Sequence, residues 1–144
     1  MTLTTLDNLV RIGKLKPFPA NRGEFEHLLG LARTLLDTVT SSSGMATESQ
    51  FILAYDAAHA ASRAALRARG YRSDDRYLVF QCLEHTIGWP TEKWRVLDTC
   101  HRRRNAAEYE GNIDLPASLT AELVQLTAEL IKTVARLDHL LPPT

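Results

Sequence analysis

A run of alanines near the middle of the chain limits the fold more than any other feature. Residues 54–69 read AYDAAHAASRAALRAR, and Gly70 follows. Alanine has the highest intrinsic helix propensity, and the run holds no proline. Gly70 suits the left-handed position that closes a helix. The spacing predicts one long helix over residues 46–69. Ala54, Ala57, Ala58, Ala61, Ala64 and Ala65 recur at three- and four-residue intervals, so they share one face with almost no side-chain thickness. Other helices can approach such a face closely.

The flanking segments carry helical periodicity of their own. Residues 3–12 place Leu3, Leu6, Leu9 and Val10 on one side, and Gly13 with the proline-rich KLKPFPA ends that helix. Asn21 is the expected N-cap of the next helix, with Glu24 as its capping-box partner. Phe25, Leu28, Leu29, Leu31, Ala32, Leu35 and Leu36 follow at helical spacing, and SSSG after Thr40 breaks the pattern. A fourth helix is expected from Ser73 to about Gly88, carrying Tyr77, Leu78, Phe80 and Leu83, with Asp74 and Asp75 at its positive end. A fifth opens at Pro90 or Thr91 and runs through Trp94, Leu97 and Cys100 to Tyr109, closed by Gly111. The last spans residues 117–140, with Leu119, Leu123, Leu126, Leu130, Val134 and Leu137 as its core stripe. The expected fold is all-α: an antiparallel up-and-down bundle of five or six helices in a single domain over residues 1–144. Residues 1–20 form an arm with a short helix, and residues 21–140 form the bundle.

Lys plus Arg equals Asp plus Glu, 17 each, so any attraction to nucleic acid or anionic membrane must come from a local patch. No apolar run approaches the roughly 20 residues that span a bilayer. The N-terminus lacks the order of a signal peptide. Cys82 and Cys100 form no CxxC pair, which leads to the expectation of a cytoplasmic protein with reduced thiols packed in the core. There is no glycine-rich phosphate loop, GxSxG or HExxH, and no metal or cofactor is expected.

Charge collects in CHRRRNAAEYEG, residues 100–111. On a helix, Trp94, Leu97, His101, Asn105 and Glu108 form one ridge, with Arg104 and Tyr109 at its margin. The ridge turns from apolar to hydrogen-bonding along its length. Two readings stand open: a solvated helix end, or a site for phosphate. The second needs Arg104 as a fixed fork, Asn105 to orient it, and a group that moves a proton. His101 has the right ordinary pKa for that role, and Tyr109 is the other candidate. Arg102, Arg103 and Glu108 would then line the substrate. On the alanine-rich helix, Tyr55, Asp56, His59, Arg63 and Arg67 are expected to form a solvated or dimer-forming basic face opposite the core. His85 is expected at a helix end, satisfied by a carbonyl.

The segment AYDAAHAASRAALRARGYR (54–72), followed by a helix ending RRRNAAEYEG (102–111), resembles the HEPN superfamily (higher eukaryotes and prokaryotes nucleotide-binding domain). More narrowly it resembles small bacterial HEPN proteins of the toxin–antitoxin type, and DNLVRIGKLKPFPANRGEFEHLL (7–29) is similar to their lead-in. The resemblance implies a helical homodimer and, in many members, metal-independent endoribonuclease activity. It further implies an Arg and an adjacent polar residue, here Arg104 and Asn105, at the RNA phosphate. Tyr109 stands where those members carry a histidine, and His101 precedes the arginines. Other members are non-catalytic scaffolds. For these the resemblance implies binding of a cognate antitoxin, a nucleotidyltransferase partner or a nucleotide.

Overall fold

The computed structural model describes residues 2–109 and 115–143, with side chains described over residues 5–107 and 115–143. Its elements in chain order are α1 (Thr2–Arg11), β1 (Lys16–Pro17), α2 (Arg22–Ser41), α3 (Thr47–Arg69), β2 (Tyr71–Arg72), α4 (Arg76–Gln81), α5 (Leu83–Thr86), α6 (Thr91–Tyr109) and α7 (Ala117–Ala135). A 3-10 turn, Arg136–Leu140, follows α7. The expected all-α bundle is present, with the described residues adding one minimal antiparallel strand pair.

α3 is the axis of the bundle. Its alanines at 54, 57, 58, 61, 64 and 65 are fully buried, and α2, α6 and α7 all pack against it. Directions follow from contacts between helix ends. Arg67, near the end of α3, reaches Glu24 in the first turn of α2, so those two helices are antiparallel. Arg22, at the start of α2, lies 2.5 Å from Asp138 beyond the end of α7. Lys93, at the start of α6, lies 2.7 Å from Glu129 late in α7. The main core joins Phe25, Leu29 and Leu36 of α2 to Phe51 of α3, Leu97 and Cys100 of α6, and Leu123, Leu130 and Val134 of α7. Each large apolar side chain so buried contributes roughly 1.5–3 kcal/mol.

The N-terminal arm is docked. Leu6 and Leu15 pack with Leu66, Tyr71, Leu78, Val79 and Cys82 in a second cluster. Tyr71 donates its hydroxyl proton to Asp7. Lys16 pairs with Arg72, and Pro17 with Tyr71. No period-two pattern announces this strand pair, because each strand is only two residues long and the two are separated in sequence by α2 and α3.

Several boundaries depart from expectation. Residues 76–86 form two short helices, because Cys82 at once caps α4 and opens α5. Asp75, one of the two acids expected at the positive end of α4, caps it, accepting from the Leu78 amide at 3.2 Å. Asn21 caps α2 as expected, its side chain accepting from Glu24 N at 2.9 Å. The Glu24 carboxylate does not complete a capping box, since Arg67 recruits it instead. α7 ends at Ala135 and tightens into the 3-10 turn. Gly111, the expected stop of α6, lies outside the described residues.

Gly70 closes α3 at φ 91°, ψ 30°, and β2 begins at the next residue. A Cβ there would meet only the Phe18 carbonyl oxygen at 3.8 Å, an ordinary contact. The cost of Gly70→Ala is therefore conformational, about 1–2 kcal/mol. A urea titration should show a lower midpoint at unchanged slope.

Candidate functional site

Three helices converge on one side of the bundle and bring together residues that are far apart in sequence. α3 supplies Tyr55 and His59 one turn apart. α4 supplies Arg76, Tyr77 and Phe80. α6 supplies Asp98, His101, Arg104 and Asn105. Tyr55 is fully buried at the bottom, with its ring edge-on to Phe80 at 5.7 Å between centroids. Its hydroxyl lies 2.8 Å from His101 Nδ1. Asn105, one turn further along α6, places its amide nitrogen 3.3 Å from His101 Nε2.

Tyr55 engages Nδ1 of the imidazole and Asn105 engages Nε2. His101 is thus oriented from both sides. Burial lowers its pKa from the ordinary value, with Arg104 and Arg76 adding to the effect against the opposing charges of Asp98 and Asp75. It is neutral near pH 7. Burial also raises the pKa of Tyr55, which stays a phenol.

Two guanidinium groups lie over the Tyr55 ring. The Arg104 Cζ is 5.2 Å from its centroid and the Arg76 Cζ 5.7 Å. Arg76 Nη1 is sealed from solvent without a hydrogen-bond partner, and its nearest carboxylate, Asp56, is at 3.8 Å. Asp98 Oδ1 is likewise buried without a partner. A neutral, oriented imidazole beside two guanidiniums is equipped to remove a proton from a hydroxyl and to hold an oxyanion.

Comparison with family models, curated proteins and solved structures returns no match.

The structure brings His101, Arg104 and Asn105 together. Arg102 points elsewhere: it is 70% exposed and pairs with Asp98 at 3.3 Å. Arg103 is partly buried. The side chains of Glu108 and Tyr109 lie outside the described residues.

The expected solvated face of α3 is overturned. Tyr55 and Arg67 are buried and His59 is partly covered, while Arg63 is exposed. α4 and α6 cover one end of that stripe, and the arm with the start of α2 covers the other. His85 lies in the last turn of α5 as expected, but its Nε2 lies 3.9 Å from the Glu84 carboxylate rather than on a carbonyl. Both cysteines are buried, and burial pushes each thiol up to about 12.

Sequence reasoning passed over Tyr55 and His59 as cleft residues. The available signal was their four-residue spacing in a helix otherwise made thin by alanine. Arg76 gave no signal at all, since its place follows from how α4 docks.

His59 sits edge-on to Phe80 at 5.9 Å. Burial, reinforced by Arg76, Arg63 and Arg104, lowers its pKa to about 3. The unfolded chain binds a proton at this residue below about pH 6.5, and the folded chain does not until about pH 3. Stability must therefore fall as pH drops through that window, with His59 contributing about 1.4 kcal/mol per pH unit. His59→Gln should flatten the dependence of folding free energy on pH between those limits. An unchanged slope would show that His59 is not the group responsible.

Proposed function

We propose that the protein is a HEPN-type, metal-independent endoribonuclease of a toxin–antitoxin system, acting as a homodimer. The observation that carries the proposal is the Tyr55–His101–Asn105 chain beneath the Arg76 and Arg104 guanidiniums. Arg104 and Asn105 hold the scissile phosphate, and Arg76 adds a second fork. His101 Nε2 takes the proton of the ribose 2′-hydroxyl. The 2′-oxygen attacks phosphorus, the bond to the 5′-oxygen breaks, and the departing oxygen takes a proton from water. The products are a 2′,3′-cyclic phosphate and a 5′-hydroxyl. Tyr55 is a positioning residue that holds Nδ1 and so fixes the reactive nitrogen. Arg102, Arg103 and Glu108 lie on the same terminal part of α6, along the path of the flanking RNA, and Tyr109 is a further proton-transfer group in this reading.

Dimerisation is supported by an apolar patch beside the cleft. Ile52 is 48% exposed next to a pocket that includes Phe51, Ala107, Leu115 and Arg104. A second copy docked there would bring its own Arg104 close. Among the described residues, no helix is long and apolar enough to cross a membrane. The cytoplasm, where RNA and an antitoxin or nucleotidyltransferase partner would be met, is the proposed location.

A non-catalytic scaffold that binds such a partner is the second reading, favoured by the tyrosine at position 109. Labelled RNA incubated with the protein in chelator separates the two. Cleavage by the wild type that is lost in Arg104→Ala supports the nuclease. RNA bound but left intact supports the scaffold, and undiminished cleavage by Arg104→Ala removes the assigned site.

A further inference from the structure

A second cavity, of about 500 Å³, lies toward the other end of α3, away from the His101 cleft. Its walls are Phe18 of the arm, the first turns of α2, the α3 face from Arg63 to Arg67, and residues 72–74, which run from the end of β2. That volume lies within the range of sites for small organic ligands. Leu28 and Leu66 are buried beneath it, and Phe18 is 38% exposed at its edge.

Charge in the cavity is only partly used by the fold. Arg67 is consumed: it pairs with Glu24 and donates to the carbonyls of Phe18, Pro19 and Tyr71. Arg63 and Arg72 are not. Both are exposed, and among the described residues neither side chain makes a hydrogen bond or ion pair. Arg72 does stack over the Phe18 ring, with Cζ 5.1 Å from its centroid. Against these two cations stands one unengaged carboxylate, Asp74. Guanidinium groups bind phosphate through paired N–H donors, and a monoester near pH 7 carries up to two negative charges. The apolar floor beside them suits the organic part of such a molecule.

We propose that this cavity binds a small phosphate monoester, with its phosphate at Arg63 and Arg72 and its organic part against Leu28, Leu66 and Phe18. The site is separate from the His101 cleft and does not depend on nuclease activity.

Calorimetric titration of the full chain tests it, with AMP, ribose 5-phosphate, inorganic phosphate and adenosine as probes. AMP and ribose 5-phosphate should bind saturably and more tightly than inorganic phosphate, and adenosine should not bind. Arg63→Ala and Arg72→Ala should each weaken the monoesters at least about tenfold, or 1.4 kcal/mol. Both side chains are exposed, so circular dichroism should show an intact helical fold. Arg104→Ala should bind as the wild type does. The assignment is overturned if neither monoester binds or if adenosine matches AMP. It is equally overturned if both cavity variants bind normally, or if Arg104→Ala is the variant that loses binding.

Discussion

Arg67→Ala loses about 3–5 kcal/mol of folding stability, a large part of the roughly 5–15 kcal/mol that holds a domain of this size folded. The reason lies in what the guanidinium joins. Only 4% exposed, it donates from Nε to Glu24 at 2.9 Å and from Nη2 to the Pro19 carbonyl at 2.7 Å. Its Nη1 bridges the carbonyls of Phe18 at 3.0 Å and Tyr71 at 3.2 Å. One side chain thus ties the arm, the start of α2 and β2 to the end of α3. Its removal leaves the buried Tyr71 carbonyl without this donor, at about 1–3 kcal/mol, and strips the part-buried Phe18 and Pro19 carbonyls of theirs. Glu24→Gln is the informative contrast. Glu24 is 46% exposed, so water replaces the lost partner and the cost should stay near 1 kcal/mol. Denaturant titration of both variants checks the pair. A loss below 1 kcal/mol in Arg67→Ala would mean that the carbonyls find other donors.

In the proposed nuclease reaction, His101→Ala should lower RNA cleavage by about 10²- to 10⁴-fold, the usual worth of a positioned proton-transfer group. Three features make the residue suited to that role. The ring is held by Tyr55 at 2.8 Å on one nitrogen and by Asn105 at 3.3 Å on the other. Its pKa is lowered by burial first, so the neutral base is present near pH 7. Arg104 and Arg76 stand ready for the charge that grows on phosphate. The pH profile carries a sign that a structural role would not produce. Because burial lowers the pKa from its ordinary value, the acid limb of cleavage should lie at lower pH than an unperturbed imidazole would place it. Tyr55→Phe keeps the ring packing but frees Nδ1, so it should reduce kcat and displace that acid limb. An His101→Ala protein that cleaves like the wild type, or a profile indifferent to both substitutions, would falsify the assignment of His101 as base.

How much was legible in the sequence differs between fold and site. The alanine face of α3, the Asn21 cap and the Gly70 stop are local properties, written in residues three or four apart, and each stands where the spacing places it. The division at Cys82 and the β1–β2 strand pair were not legible. Both arise from docking of the arm and of α4, which no local propensity records. Glu24 shows the limit most clearly. By sequence it belongs to its own helix cap, yet a cation 43 residues away takes the carboxylate. A buried guanidinium needs a counter-charge more than a helix end needs a second cap.

The site follows the same division. His101, Arg104 and Asn105 could be picked out because one helix turn places them along neighbouring positions. Tyr55, His59 and Arg76 come from other helices, and only packing brings them to the same cleft. The sequence by itself determined an all-helical chain organised around a thin alanine helix, with its richest chemistry at the end of α6. The tertiary structure alone decided that Tyr55 would orient His101, that Arg76 would join Arg104 above it, and that Arg67 would be buried. Helical periodicity acts over a few residues and is written in order. Burial, which shifts the pKa of His101 and makes Arg67 indispensable, depends on which helices close over a residue.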